Sequence, residues 1–245
     1  DTGDEVRLSR FLAGAGVASR RHADLLIEQG RVLVNGRKAK LGEKIRATDK
    51  ISVDGRSVTS IEPRVYLALN KPVGYLSTCS DPFSRRTVLS LIRVKERIFP
   101  IGRLDQDADG LLLLTNDGEL AYLLTHPKHQ VVKEYMVEVI GERDDDKARE
   151  MLSGIYIDGR KVVADYAGFL PSKEGRRERL RIGVHEGEKH LVKKMCAWAG
   201  YGVRRLTRTK VGPVRLGSLP KGAWRRLSGS EVRALYFSPD RGARK

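Results

Sequence analysis

The chain reads as an α+β protein: a mostly antiparallel mixed-sheet domain preceded by a small α+β module. Three observations predict this. Short β-like runs near 65–69, 111–115, 131–140, 155–163 and 178–184 alternate with helical segments near 86–96, 117–125, 144–153 and 188–199, the proportions of an α+β domain with hairpin-linked strands. The first 60 residues carry their own pattern of two short helices and two hairpins. The 245 residues, 40% of them hydrophobic, suffice for one large core with an appendage. The expected boundaries are 1–60 and 61–245.

In the N-terminal module, Leu8, Phe11, Leu12 and Ala15 fall at i, i+3, i+4 and i+7, a helix with one buried stripe that Gly14 and Gly16 end. Ser19 is placed to cap a second helix that turns Ala23, Leu26 and Ile27 inward and stops at Gly30. Arg7, Arg10, Arg20 and Arg21 remain for the outer surface. Asn35-Gly36 and Asp54-Gly55, each following a β-branched run, signal tight hairpins, because both turn residues must accept positive φ. Residues 57–64, ending in Glu62-Pro63-Arg64, read as a linker.

Beyond it, residues 102–118 pose a choice. Asp105, Asp107, Asp109 and Gly110 match the opening of a calcium loop, but Leu113 and Asn116 stand where its ninth and twelfth residues must supply oxygen ligands. The alternative is a turn that carries one functional carboxylate into a strand, Leu111–Leu114, covered on both faces and closed by Asn116-Asp117-Gly118. After Gln130, the two-residue period puts Val131, Lys133, Tyr135, Val137 and Val139 on one face, so Lys133 and Tyr135 lie side by side. Residues 155–162 repeat the hairpin chemistry at Asp158-Gly159. Leu191, Val192, Met195, Cys196 and Ala199 form a helical apolar stripe ended by Gly200, which leaves Lys193 off the buried side.

Composition narrows the function. A formal charge of +16 points to a polyanionic partner, nucleic acid first, since clustered Lys and Arg gain affinity by releasing counterions. Residues 204–245 hold twelve Lys or Arg against Glu231 and Asp240. Cys79 and Cys196 lack paired spacing, and His126 with His129 finds no acid or cysteine pair, so neither a disulfide framework nor a zinc site is expected. Phosphate-cradling glycine loops are missing from the sequence, against a nucleotide-driven enzyme. No apolar run approaches membrane-spanning length, and a soluble protein of the reducing cytoplasm is expected. Residue 1 is not Met, so a preceding segment with targeting information is conceivable.

Two resemblances sharpen these readings. Arg7-Leu8-Ser9-Arg10-Phe11-Leu12, Ala18-Ser19-Arg20-Arg21 and Gly30–Gly36 resemble the S4-type RNA-binding domain, which implies that Arg10, Arg20 and Arg21 grip structured RNA. Gly102-Arg103-Leu104-Asp105 with Gly110–Gly118, Asn70-Lys71-Pro72-Val73-Gly74, His126-Pro127, Lys133-Glu134-Tyr135, Gly212-Pro213 and Trp224–Leu227 is similar to bacterial ribosomal RNA pseudouridine synthases, the branch of the small-subunit enzyme and large-subunit enzymes B and F.

That resemblance implies breaking the bond between uracil nitrogen and ribose, rotating the base and rejoining through carbon-5, without metal or organic cofactor. Asp105 would be the catalytic carboxylate, as nucleophile or as the base that starts glycal formation. Lys193 would be the cation that keeps it ionised, with Lys194 a possible substitute because Lys189, His190 and Leu191 depart from the family pattern. Tyr135 would stack on the target uracil, and Arg103 would fill the gap left by the flipped nucleotide. Lys71 and Lys133 join the RNA-binding set, and Asp107 and Asp109 are left to turn formation or solvation. Implied partners are ribosomal RNA, of the large subunit by preference, or a pre-ribosomal particle, met by a monomer away from membranes. A non-catalytic RNA-binding or assembly factor is the alternative, and a glycosidase is poorer because Asp105 has no evident second acid of matched role.

Overall fold

The three hairpins form where turn chemistry predicts them. Asn35 and Gly36 take φ of 51° and 81°, Asp54 and Gly55 50° and 76°, and Asp158 and Gly159 50° and 78°. The computed structural model describes residues 5–59, 62–171 and 178–237. The chain divides into two units, Asp1–Arg64 with Val94–Arg97, and Val65–Arg93 with Ile98–Lys245.

In the first unit, β1 (Val6–Arg7) leads into α1 (Leu8–Gly14) and α2 (Arg20–Glu28). Then come β2 (Val32–Val34), β3 (Arg37–Lys38), β4 (Lys44–Ile45), β5 (Ile51–Val53) and β6 (Arg56–Val58). The antiparallel order is β3-β2-β5-β6, and β1 pairs with β4. Ser19 caps α2 as expected, its hydroxyl accepting from the His22 amide at 3.2 Å. Leu8, Leu12, Ala23, Leu26 and Ile27 pack onto Val32, Val34 and Ile51. Ser57 and Val58, expected in a linker, complete the β5–β6 hairpin instead, paired with Ser52 and Ile51.

The second unit begins with β7 (Tyr66–Lys71), β8 (Phe99–Pro100), β9 (Asp109–Thr115) and α3 (Gly118–Thr125). It continues through β10 (Lys133–Ile140), α4 (Asp145–Ser153), β11 (Ile155–Ile157), β12 (Arg160–Val162), β13 (Tyr166–Phe169) and β14 (Arg179–Val184). It closes with α5 (Leu191–Trp198), β15 (Gly202–Val211), β16 (Val214–Arg215), β17 (Trp224–Arg226) and α6 (Gly229–Phe237). Among the described residues one sheet runs β13-β14-β10-β15-β9-β7-β17, with β8 and β16 attached at its side. Only β15 and β9 are parallel; all its other pairings are antiparallel.

Two expectations need correction. The helix expected over 86–96 is a single 3-10 turn, Val88–Leu91, because Val88 alone of that turn is buried and the segment has no continuous apolar stripe. Conversely, 204–211, read only as a basic surface, is most of β15, the ten-residue strand between β10 and β9. Its alternation sends Leu206 and Arg208 inward.

The leucine run behaves as predicted: every residue of β9 is buried. Leu111 and Leu113 join Leu120, Leu124 and Leu235 in one cluster, while Val137, Leu180 and Leu206 pack with Met151 and Met195 in another. Gly110, at φ 108°, allows the backbones to meet where β9 joins β15, since a Cβ there would collide with the Arg208 main chain. At the far end of β9, buried Asp117 caps α3 through the Glu119 amide at 3.0 Å and accepts the hydroxyls of Tyr66 at 2.8 Å and of Tyr236. Thus β9 is fixed at both ends.

Candidate active site

Asp105 lies on the turn that enters β9, and that turn is held through its backbone. The Lys71 ammonium donates to the carbonyls of Asp105 at 2.9 Å, Ala108 at 2.7 Å and Pro72 at 3.0 Å. Ser77 bonds both the carbonyl and the amide of Leu104, at 2.8 and 3.1 Å. The Gly74 amide donates to the Gln106 carbonyl at 2.7 Å, and the Arg208 guanidinium to the carbonyls of Arg103 and Leu111 at 3.2 and 2.7 Å. A carboxylate on such a mount keeps its position because these backbone bonds would have to break for the turn to move.

Lys71 therefore corrects an expectation. It is 0% exposed, so it touches no RNA. Its ammonium is the tie at the base of the turn. Burial holds its pKa down to about 8 although the negative charge of Asp109 opposes the shift.

The three acids of the turn take three different roles. Asp105 lines a cavity of about 230 Å³. The Lys193 ammonium of α5 stands 3.4 Å from its carboxylate, and the His190 ring nitrogen 3.6 Å away. Asp107, on the rim, accepts from the same Lys193 at 2.6 Å, which pulls its pKa down. Asp109 is neither solvated nor a turn former: it is buried beneath the sheet edge with Arg205 at 2.8 Å, Lys221 at 2.7 Å and the Thr207 hydroxyl at 2.5 Å. Burial raises its pKa, and these donors outweigh that and hold it low. Lys194, the possible substitute for Lys193, instead pairs with Asp158.

The sheet supplies the opposite wall. Lys133 and Tyr135 of β10, side by side as the period-two reading requires, line the cavity with Leu206 and Arg208 of β15. Lys133 donates to the carbonyls of His185 at 3.1 Å and Val131 at 3.3 Å. Burial first, and then the Arg208 charge, bring its pKa down to about 8. Arg103, exposed, lies at the mouth beside Asp105.

Sequence reasoning missed two residues here. Arg208 is 3% exposed and brings a permanent cation to the cavity wall. Only its place in a β-alternating run, next to inward Leu206, could have singled it out. His190 sits at φ 60°, a left-handed conformation that is rare for a side-chain-bearing residue and concentrates at functional sites. It falls in the stretch 189–191 where the sequence departs from the family pattern.

Arg10, Arg20 and Arg21 are exposed on the helices of the first unit. His126 and His129 pack around Tyr122, and the His126 ring accepts from the Lys128 amide at 3.2 Å. Among the described residues no group of three or more His, Cys, Asp or Glu is arranged to hold a metal, and no helix is long and apolar enough to cross a membrane. Much of the basic C-terminal excess is structural. Arg208 is buried, Arg205 and Lys221 neutralise Asp109, and Arg225 pairs with Glu231 at 2.7 Å, while 238–245 lie outside the described residues.

Known proteins resemble this chain in sequence and fold. The family model for RNA pseudouridylate synthase matches residues 65–198, and that for the S4 domain residues 6–51. An uncharacterized RNA pseudouridine synthase of Aquifex aeolicus is 42% identical over 95% of this chain and 94% of its own. Ribosomal large subunit pseudouridine synthase B of Bacillus subtilis is 38% identical over 96% of this chain and 98% of its own. A crystal structure of a pseudouridylate synthase superposes with a TM-score of 0.66 at 31% identity, covering 94% of this chain and 99% of that one. A carboxylate on a clamped turn at a cavity wall, with a lysine ammonium 3.4 Å from it, thus occurs in a chain that belongs to the RNA pseudouridylate synthase family and carries an S4 domain at its N-terminal end.

Proposed function

We propose that the protein isomerises a uridine of ribosomal RNA, of the large subunit as for the Bacillus subtilis relative, with Asp105 as its catalytic carboxylate. The observation that carries the reading is the placement of Asp105: part-exposed at the cavity wall, on a turn held through its backbone by Lys71, Ser77 and Gly74, 3.4 Å from Lys193. An ionised carboxylate in a closing pocket needs such a cation, since desolvation alone would favour its protonated form. Asp105 acts at the sugar while the bond from uracil N1 to ribose C1′ breaks. The base then turns, C5 bonds to C1′, the hydrogen on C5 leaves as a proton to solvent, and N1, freed from the sugar, takes one up, so the product is an isomer of the starting uridine.

In this reading Tyr135 stacks on the uracil and Arg208 and Lys133 supply positive potential to the same wall. Arg103, at the mouth, takes the place of the extruded nucleotide, an extrusion that costs roughly a few kcal/mol. Arg10, Arg20 and Arg21 hold structured RNA through the N-terminal module. The protein acts as a monomer in the cytoplasm, on free ribosomal RNA or a pre-ribosomal particle.

The test is tritium release from a large-subunit ribosomal RNA transcript labelled at uridine carbon-5. Asp105→Asn is expected to release none while retaining RNA in a filter-binding assay as the wild type does. Release at the wild-type rate would remove Asp105 from its role.

A further inference from the structure

Residues 78–86 form a loop whose tip is a phenylalanine with no part in the core. Phe83 is 77% exposed, and Val73, in the neighbouring loop, 53%. The loop around Phe83 is nonetheless ordered by its own side chains. The Asp81 carboxylate accepts from the amides of Phe83 at 3.0 Å and Arg85 at 3.1 Å, and from the Arg85 guanidinium at 2.6 Å. Ser84 is fixed at φ 55°, with its amide on the Asp81 carbonyl at 3.2 Å. The Arg85 guanidinium carbon lies 5.4 Å from the centre of the Phe83 ring, a cation–π arrangement. Asp81, Pro82 and Ser84 build the turn, so apart from its contact with Arg85 the phenyl ring has no part in it and stays exposed.

The stem of this loop stands on the same foundation as Asp105. The Leu76 amide donates to the Arg86 carbonyl at 2.9 Å and the Val88 amide to the Leu76 carbonyl at 3.0 Å, closing the loop. Ser77, next in the stem, holds Leu104, the residue before Asp105, and Gly74 holds Gln106, the residue after it. A ring presented rigidly in water, with exposed Arg85 and Arg86 beside it, has the chemistry that binds unpaired nucleotides: an aromatic face for a base and guanidinium groups for the adjoining phosphates.

Resting on the reading of the cavity as the place where a uridine of ribosomal RNA is isomerised, we propose that Phe83 is a stacking platform for an unpaired base of that RNA near the target nucleotide. Arg85 and Arg86 engage the phosphates around it. The platform fixes which RNA loops present a uridine to Asp105, so it governs binding and selection rather than bond making.

The experiment uses the full chain and the carbon-5-tritiated large-subunit transcript. Phe83→Ala is expected to raise KM about fivefold or more, the loss of one base–aromatic stack, with kcat within twofold. Phe83→Trp is expected to keep the wild-type KM, and the emission it adds over Trp198 and Trp224 should be quenched when RNA binds. An unchanged KM in Phe83→Ala, as a protein-docking residue would give, overturns the proposal, and so does an added emission that saturating RNA leaves unaltered. A wild-type protein that binds the transcript without releasing tritium would defeat the functional reading instead, leaving the quenching to judge the platform alone.

Discussion

Replacing Lys71 by Met removes one ammonium group and keeps most of the side chain's bulk, and it isolates the tie beneath Asp105. The buried carbonyl of Ala108 and the part-buried carbonyls of Pro72 and Asp105 lose this donor, and the Asp105 carbonyl keeps another, the Ala108 amide at 3.2 Å. An orphaned buried acceptor costs ~1–3 kcal/mol, in full for Ala108 and only in part for the two carbonyls that water or another amide can reach, so together they cost ~3 kcal/mol. Against this stands the relief of not burying a charge. A pKa brought from the ordinary 10.5 to about 8 corresponds to ~3 kcal/mol against the charged form. The two nearly cancel, so stability should change by no more than ~1 kcal/mol. Catalysis should suffer more than folding, because the freed turn carries Asp105 and a displacement of about 1 Å at a reacting group costs on the order of 100-fold in rate. Urea unfolding followed by circular dichroism gives the first quantity. Tritium release at saturating RNA, at a temperature where the variant is folded, gives the second. Turnover within about threefold of wild type in the folded variant would refute the account of Lys71 as the tie.

The two neighbouring lysines of α5 should separate cleanly. Lys193→Met removes the cation 3.4 Å from Asp105 and should lower kcat at least about tenfold, whereas Lys194→Met breaks a surface pair with Asp158 and should leave kcat within twofold; equal effects in steady-state assays would contradict the geometry. Lys133 makes activity depend on pH. Its pKa of about 8 lies below the ordinary 10.5, so the cavity holds this charge below pH 8 and loses it above, and kcat/KM should fall with a midpoint near 8. Unfolding is not the cause of that limb: between pH 8 and 10.5 the unfolded chain binds this proton better than the folded one, so this group's contribution to stability rises with pH. Lys133→Arg should carry the limb above the range of the assay, and a limb that stays near 8 in the Arg variant would assign it to another group.

The parts of this site that were legible in the sequence are those where local chemistry and family pattern coincide. The Asp105 turn, the leucine strand and the three hairpins each rest on a few adjacent residues whose backbone preferences agree. The family resemblance singles out Lys193, and the apolar stripe of α5 agrees with it by turning that position away from the core. What stayed hidden are charges that the fold takes inside. Lys71 before Pro72 looks like a surface lysine, and its burial depends on carbonyls of Asp105 and Ala108, more than thirty residues away, converging on its ammonium. β15 was obscured for the same reason. Arg204, Arg205, Arg208 and Lys210 make it look like a solvated basic stretch, yet Arg208 is enclosed and Arg205 neutralises a buried acid.

Asp109 shows how far such concealment reaches into function. By sequence it is equivalent to Asp105, two alternations away along the same acidic run, and only its environment separates the two. Arg205, Thr207 and Lys221 surround one carboxylate and leave it nothing to do but hold β9 to β15, whereas the other faces a cavity with Lys193 beside it and room for a sugar. The division of labour is therefore physical. The acid saturated with donors becomes a rivet, and the acid left with Lys193, His190 and an open side is the one available for the proposed chemistry.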